Sequence, residues 1–172
     1  VEVVETQYKD KERSFRLHIA IAPTKNLKRF EWFLEKVTEI GIDEITPLVC
    51  FHSERRQVKH ERAHRIVTAA LKQSLKTFHP VFHRMIGLKE FLNRPYDGLK
   101  CIASCEAADS TPLKNILSSK KSVIILIGPE GDFNDDELTM ARNRDFIPVS
   151  LGNSRLRTET AGIVACSLVN LL

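Results

Sequence analysis

Short apolar runs alternate with helical patterns along most of this 172-residue chain. The runs have the length and composition of β-strands, and they cover residues 15–22, 44–50, 81–86, 99–104, 122–127 and 146–150. Amphipathic segments lie between them, near residues 27–40, 59–76, 88–93, 112–118, 134–143 and 159–171. This alternation predicts an α/β fold in which a mostly parallel sheet carries helices on both faces.

The run from Ser122 to Ile127 is almost wholly apolar, which is typical of a central strand that is covered on both faces. Asn134 precedes three acidic residues and is therefore predicted to cap a helix whose first turn favours negative charge. Ligands of parallel sheets bind beyond the carboxyl ends of the strands. We therefore expect a binding site among the loops that follow Ser104, Ile127 and Ser150.

Composition excludes several classes of protein. The chain is 42% apolar and 28% charged, with 7 Gly and 7 Pro, which excludes collagen-like and low-complexity chains. It has no apolar run of about 20 residues, no signal peptide at its start and no C-x-x-C pair among its cysteines. These features predict a cytoplasmic protein with reduced thiols and no membrane contact. The net charge of +4 allows a polyanionic partner without requiring one.

The segment His60–His64 spells H-E-x-x-H, the pattern in which two imidazoles on one helix face bind zinc beside a glutamate base. Arg62 and Arg65 lie within and beside it, and their charge opposes the binding of a dication. The positions where a further zinc ligand would follow hold Val67 and Ala70. We interpret the segment as a solvated basic helix and predict no metal site, with a zinc hydrolase as the alternative.

Two glycine-containing segments stand directly after predicted strands, IGPEGDF at residues 127–133 and LGNSRLRTETAG at residues 151–162. Glycine permits positive φ and close approach of the backbone to a ligand, while Pro129 stiffens the first loop. Such loops can contact a nucleoside through main-chain groups. From the residues alone, tight connections between strand and helix explain the same pattern equally well. The chain has neither a P-loop nor a G-x-G-x-x-G, which argues against a kinase or a dehydrogenase.

GPEGDF followed by LGNSRLRTETA resembles the paired C-terminal motifs of the RsmE family, the small-subunit ribosomal RNA uridine methyltransferases of the SPOUT superfamily. Lys25 and the segments at residues 35–48, 52–55 and 69–74 are similar to that family in the same order, so the resemblance covers nearly the whole chain. It implies methylation of a uridine at ring nitrogen 3 in small-subunit ribosomal RNA, with S-adenosylmethionine as cofactor. It also implies a SPOUT-type fold with a C-terminal trefoil knot.

The same resemblance implies a homodimer and an N-terminal RNA-binding, PUA-like domain. This chain begins with Val and has no room for such a domain, so we expect it to be truncated. Residues 1–13 would be a remnant of that domain or a linker from it, and residues 14–172 would form the methyltransferase domain.

Carried over residue by residue, the cofactor pocket of the family is expected at three loops. Its residues would be Ser104, Glu106, Ile127, Gly128, Glu130, Gly131, Leu151, Gly152, Asn153, Leu156, Arg157 and Thr158, with Cys105 between the first two. Two positions depart from the family pattern. Asp132 stands where a glycine is common, which should alter the flexibility of the loop more than its chemistry, and Lys76 stands where an arginine is common.

Arg157 and Glu159 are the candidate catalytic residues. Methylation of the ring nitrogen requires loss of its proton, and a cation near the uracil oxygens would stabilise the anionic base. Arg157 could supply that cation, or it could instead clamp the loop or contact a phosphate. Glu159 could act as the general base, or it could instead stabilise the start of the last helix.

Basic residues are predicted to contact RNA phosphates, namely Lys25, Arg29, Arg55, Arg56, Arg62 and Arg65. A solvated basic surface is the alternative for the same residues. Trp32 is expected to pack in the core or against a second subunit, and His79 and His83 are predicted to belong to no cluster. A noncatalytic protein that binds RNA or assists ribosome assembly on the same fold is the alternative function.

Overall fold

The computed structural model describes residues 15–105, 107, 109–117 and 122–171. Its strands are β1 Arg16–Ile21, β2 Glu44–Val49, β3 Val81–Phe82, β4 Ile86–Gly87, β5 Leu99–Ala103, β6 Thr111–Pro112, β7 Ser122–Ile127 and β8 Ile147–Ser150. Its helices are α1 Leu27–Ile40, α2 His60–Gln73, α3 Leu88–Leu92, α4 Leu113–Ile116, α5 Asp135–Arg142 and α6 Thr158–Asn170. The suggested remnant at residues 1–13 and the predicted cofactor residue Glu106 lie outside the described residues.

The strands form one sheet in the order β3-β2-β1-β7-β5-β8-β6, with β4 also paired to β2, and the pairings are parallel. Alternate residues of β1 enter two different cores. Leu17, Ile19 and Ile21 pack with α1, α2, α4 and α6, whereas Ala20 packs with α3 and α5. The predicted α/β fold, with helices on both faces of a parallel sheet, is confirmed. The trefoil knot stays a prediction.

Two short parts of the sheet differ from the prediction. Residues 81–86 do not form one strand, because β3 and β4 are separated by a break. Thr111 and Pro112 form β6 and pair with β8, although residue 112 was predicted to begin a helix. Proline has no N–H to donate to a ladder, and β6 lies at the edge of the sheet, where that donor is not needed.

Asn134 caps α5 as predicted. Its side-chain oxygen accepts a hydrogen bond from the Glu137 N–H at 2.8 Å, and one Glu137 carboxylate oxygen accepts one from the Asn134 N–H at 3.1 Å. The other Glu137 oxygen accepts a hydrogen bond from the Phe51 N–H at 2.8 Å. The buried carboxylate of Glu137 therefore joins the start of α5 to the loop after β2.

The surface of the described chain bears on three further expectations. Trp32 is 47% exposed, so the expectation that it packs in the core of the chain is wrong and its packing against a second subunit stays a prediction. The four cysteines are free thiols, and only Cys105 among them is exposed. Among the described residues, no helix combines the length and the apolar character that a membrane span needs.

Candidate functional site

A cavity of about 720 Å³ opens at the carboxyl edge of the sheet, where the sequence predicts a site. The strands β7, β5 and β8 are neighbours in the sheet, so the loops that follow them meet at this edge. The cavity is lined by residues 103–105 and 110, by residues 127–130 and 132, and by residues 149–158 and 161. Its volume is in the range of pockets that bind small molecules and cofactors.

Most of the predicted cofactor residues lie on the wall of this one cavity. They are Ser104, Ile127, Gly128, Glu130, Leu151, Gly152, Asn153, Leu156, Arg157 and Thr158. Gly131 is not part of the wall. A Cβ atom at Gly131 would lie 3.1 Å from the Cβ of His52, so this glycine lets the loop after β7 approach the loop after β2. A cofactor contact of Gly131 stays a prediction.

Gly152 combines an unusual backbone conformation with open space. Its φ is +139°, which L-residues rarely adopt, and a Cβ atom built there would have no neighbour within 4 Å. The glycine is therefore required by the turn after β8 and not by packing against another residue. Gly152 also lines the cavity, so a ligand can approach its main chain there.

Asp132 ties together the loops that form the cavity. Its carboxylate accepts hydrogen bonds from the Ser104 hydroxyl at 3.0 Å, the Cys105 N–H at 2.9 Å and the Phe133 N–H at 2.8 Å. Its main-chain oxygen lies 3.1 Å from Nδ1 of His52. The residue has a φ of +59°, in the left-handed region that favours glycine. Aspartate at this position thus cross-links the loops after β2, β5 and β7 in spite of its backbone conformation.

Replacing Asp132 with alanine is expected to lower the free energy of unfolding by about 2 kcal/mol, because hydrogen bonds to a charged group are lost and a Cβ without polar atoms is left at positive φ. Urea denaturation measures this change. The matched control Asp132→Gly loses the same hydrogen bonds but relieves the backbone, so it should lose less stability than Asp132→Ala. Equal stability of Asp132→Ala and the wild type would contradict the cross-linking role.

Lys25 and Arg55 lie beside the cavity through a chain of contacts. The Lys25 N–H donates a hydrogen bond to the carboxylate of Glu130 at 2.9 Å, and the Arg55 guanidinium donates one to the Lys25 carbonyl at 2.8 Å. The Lys25 ammonium lies 2.8 Å from the Glu54 carboxylate, and this hydrogen bond raises the pKa of Lys25. The predicted RNA-binding residues Lys25 and Arg55 therefore meet the predicted cofactor loop at Glu130.

The other predicted RNA-binding residues differ in their surroundings. Arg62 forms a two-pronged ion pair with Glu31, which joins α1 to α2, and the hydrogen bond lowers the pKa of Glu31. Arg56 is exposed. Arg65 lines a shallow surface depression on α2, outside the carboxyl-edge cavity. Arg29 points to the start of α6, where its Nε lies 3.8 Å from a carboxylate oxygen of Glu159.

Arg157 and Glu159, the candidate catalytic residues, occupy different environments. Arg157 is exposed on the cavity wall and precedes α6 without a side-chain capping bond. Glu159 is only 5% exposed and lies in the first turn of α6, between the wall residues Thr158 and Ala161. It is not itself a wall residue. Arg157 therefore lines the cavity, whereas Glu159 is buried behind the cavity wall.

Two buried polar atoms of the described residues have no hydrogen-bond partner, Nε of Arg55 and Oε2 of Glu159. An unpaired buried polar atom costs free energy, so each calls for an explanation. Arg55 contacts Lys25 and Glu159 contacts Arg29, and Lys25 and Arg29 flank the start of α1. Sequence patterns could not reveal these atoms, because whether a buried polar atom finds a partner depends on how loops far apart in the chain meet.

The two histidines of the H-E-x-x-H segment have different partners. The ring of His60 bonds to a main-chain carbonyl of β3 at 2.9 Å, whereas the ring of His64 stacks on His79 with ring centroids 4.8 Å apart. The prediction that His79 and His83 belong to no cluster is wrong, since Nε2 of His83 also lies 2.6 Å from the carboxylate of Glu44. His64 of α2 and Glu44 of β2 thus each contact a histidine in a loop beside β3.

The family of this chain follows from its similarity to known proteins. The model of the RNA methyltransferase domain family matches residues 11–170. The chain belongs to this family. It is 32% identical over 142 residues to ribosomal RNA small subunit methyltransferase E of Rickettsia conorii, an alignment that covers 81% of this chain and 58% of that protein. The predicted resemblance to the RsmE family is therefore confirmed.

Two solved structures of members of this group share the fold. A probable rRNA-methyltransferase of Porphyromonas gingivalis is 45% identical with a TM-score of 0.85, and the match covers 91% of this chain and 67% of that one. Ribosomal RNA small subunit methyltransferase E of Neisseria gonorrhoeae, crystallised with S-adenosylmethionine, is 26% identical with a TM-score of 0.81, covering 94% and 68%. This chain therefore spans 58% to 68% of the length of these three proteins.

Proposed function

We propose that this chain is the catalytic domain of an S-adenosylmethionine-dependent methyltransferase that modifies ring nitrogen 3 of a uridine in small-subunit ribosomal RNA. One observation carries the proposal: residues that the RsmE resemblance assigns to the cofactor, from three separate loops, line a single cavity. The Neisseria gonorrhoeae relative holds the same cofactor. Incubating the protein with radiolabelled S-adenosylmethionine and unmodified small ribosomal subunits tests it, with label expected on one uridine.

The residues of the cavity fit this cofactor. The wall combines apolar side chains of Ile127, Leu151 and Leu156 with main-chain groups around Gly128 and Gly152. Apolar walls with a few polar groups suit a nucleoside, and open space beside the Gly152 backbone lets a ligand approach closely. When bound, S-adenosylmethionine supplies the methyl group from its sulfonium. The chain's own part is to hold the nucleophile in line with that group.

Arg157 is proposed to stabilise the deprotonated uracil. Its side chain is exposed on the cavity wall and so can reach a base that enters from solvent. A guanidinium near the uracil oxygens favours the anionic base, whose ring nitrogen is then free to act as the nucleophile. The contacts of Arg157 with the cofactor are proposed to be made by its backbone.

Glu159 is proposed to accept the proton of the ring nitrogen through its unpaired Oε2, which must first turn from its buried position toward the cavity. Replacing Glu159 with glutamine is expected to lower the turnover number for methyl transfer by about 100-fold, because general-base catalysis is lost while the shape is kept. The affinity for S-adenosylmethionine, measured by calorimetry, should not change. Arg29→Gln removes the partner at 3.8 Å and is the control, assayed at saturating concentrations of small ribosomal subunits because Arg29 is also a proposed RNA contact. An equal loss in Arg29→Gln would show that Glu159 acts through that pair and not as the base.

RNA contact is proposed for the basic residues around the start of α1 and on α2. Replacing Arg65 with alanine is expected to reduce the slope of log affinity against log salt by about 0.8, as for the loss of one phosphate contact. Arg62→Ala is the control and should change the slope less, because Arg62 already pairs with Glu31. Filter binding to small-subunit RNA at several salt concentrations measures both. An unchanged slope for Arg65→Ala would remove Arg65 from the RNA-binding surface.

The complete protein is proposed to act in the cytoplasm as a homodimer with an N-terminal RNA-binding domain, and its methyltransferase domain is proposed to carry the C-terminal knot. The exposure of Trp32, at 47%, supports a contact of α1 with a second subunit. Sedimentation equilibrium of the wild type and of Trp32→Ala tests this contact. A dimeric wild type and a dissociated variant are expected, and a monomeric wild type would contradict it.

A further inference from the structure

Three side chains with metal-binding groups converge at the amino end of the sheet, away from the carboxyl-edge cavity. His18 lies on β1, Glu44 begins β2, and His83 directly follows β3. The register pairs His18 with Glu44 and Glu44 with Val81, so all three positions lie on one face of the sheet, His83 being two residues beyond Val81. Their nearness is thus set by parallel pairing of three adjacent strands and not by flexible loops.

The donor atoms of these side chains are close enough to share one ion. One ligand atom from each of His18, Glu44 and His83 lies within 4.8 Å of the other two. Two imidazoles and a carboxylate form a ligand set that zinc uses in proteins, with a fourth position for water. Zinc binds such ligands at about 2.1 Å, so its donors stand roughly 3.4 Å apart in a tetrahedron. Small shifts of the side chains would therefore suffice, which close the wider separations and open the 2.6 Å contact between His83 and Glu44.

Neighbouring groups orient the three side chains. Nε2 of His18 lies 2.8 Å from the Thr46 hydroxyl, and the Arg16 guanidinium holds the other oxygen of Glu44 at 2.9 Å. His18 is 7% exposed, and burial lowers its pKa to about 4, so its imidazole is neutral near pH 7. The side chain of His83 is 32% exposed, which leaves a path for an ion from solvent. The charge of Arg16 opposes a dication, but its side chain is 63% exposed and can turn into water.

We propose that His18, Glu44 and His83 form a binding site for a divalent transition-metal ion of the zinc class. The ion would cross-link β1, β2 and the segment after β3. This site is separate from the H-E-x-x-H segment on α2, whose histidines have other partners. It is also independent of the proposed methyl transfer, because none of its three residues lines the carboxyl-edge cavity.

Titration of the 172-residue chain with zinc chloride, followed by calorimetry, tests the proposal. The wild type is expected to bind one zinc ion at this site, and His83→Gln and Glu44→Gln should each bind it at least about 10-fold more weakly. His64→Gln is the matched control, since it removes an exposed imidazole elsewhere, and it should bind as the wild type does. Cobalt(II) should give the visible absorption of a tetrahedral site in the wild type and lose it in His83→Gln.

Circular dichroism of each variant separates loss of ligand from loss of fold, and a folded Glu44→Gln serves if His83→Gln does not fold. Zinc affinity that is unchanged in both variants would overturn the proposal and leave the three residues as a hydrogen-bonded network. So would absence of zinc binding by the wild type. Loss of zinc binding in His64→Gln alone would also overturn it, since the ion would then lie on α2.

Discussion

Replacing Arg157 with alanine is expected to lower the turnover number for methyl transfer by at least about 100-fold, the usual cost of removing one group that stabilises developing charge. Arg157 is exposed on the cavity wall, where its guanidinium can face the uracil oxygens of a bound substrate. Affinity for S-adenosylmethionine should change little, because the cofactor contacts of this loop are assigned to the backbone. Single-turnover transfer of labelled methyl groups to small ribosomal subunits measures the rate.

Arg155 provides a matched control for this experiment. It is a second exposed arginine on the same cavity wall, only two residues away, so Arg155→Ala removes the same charge from the same loop. Arg157→Lys keeps a cation but loses the planar fork and should recover part of the rate. Equal losses of rate in Arg155→Ala and Arg157→Ala would assign the effect to RNA attraction by net charge, and would contradict a specific role for Arg157.

Replacing Gly162 with valine is expected to lower the free energy of unfolding by about 3 kcal/mol through overpacking. Gly162 lies in α6, and a Cβ atom there would meet Cε2 of Phe33 at 2.5 Å and Cδ1 of Ile21 at 3.1 Å. Phe33 is fully buried in the core between α1 and the sheet and has little room to move. Thermal and urea denaturation measure the change.

Gly162→Ala makes this prediction sharper, because helix propensity alone would make alanine more stable than glycine by about 1 kcal/mol. The close contact with Phe33 should nevertheless make Gly162→Ala less stable than the wild type. In a Phe33→Leu background the ring is absent, so the cost of Gly162→Ala should shrink or change sign. A wild-type background in which Gly162→Ala raises the melting temperature would contradict the packing assigned to this glycine.

The order of the long elements could be predicted from the sequence, because strands of four to six residues and helices of eight or more have a readable periodicity. The apolar character of residues 122–127 predicted a central strand. These residues form β7, which is central in the sheet. The strands β3, β4 and β6 have two residues each, which is too short for any pattern. Their pairing is decided by neighbouring strands and not by their own residues.

The wall of the cavity could be predicted because its glycine-containing loops are contiguous motifs. What a particular glycine does there could not be predicted, since Gly131 makes room for His52 whereas Gly152 faces open space. The cross-link made by Asp132 joins residues 28 positions apart, and the contact of His83 with Glu44 joins residues 39 apart. Such contacts depend on strand register. The available signal for the cluster to which His83 and Glu44 belong was His18, a histidine among the apolar residues of β1.

Calorimetric titration of the chain with S-adenosylmethionine tests most directly whether the carboxyl-edge cavity is a cofactor site. Cofactor binding needs only the three loops that line the cavity, so it should not depend on RNA or on an RNA-binding domain. Saturable binding at one site per chain is expected, with weaker binding by Asp132→Ala, whose loops are no longer cross-linked. Absence of binding by a folded chain would show that the cavity is not a cofactor site and would favour a noncatalytic RNA-binding protein on the same fold.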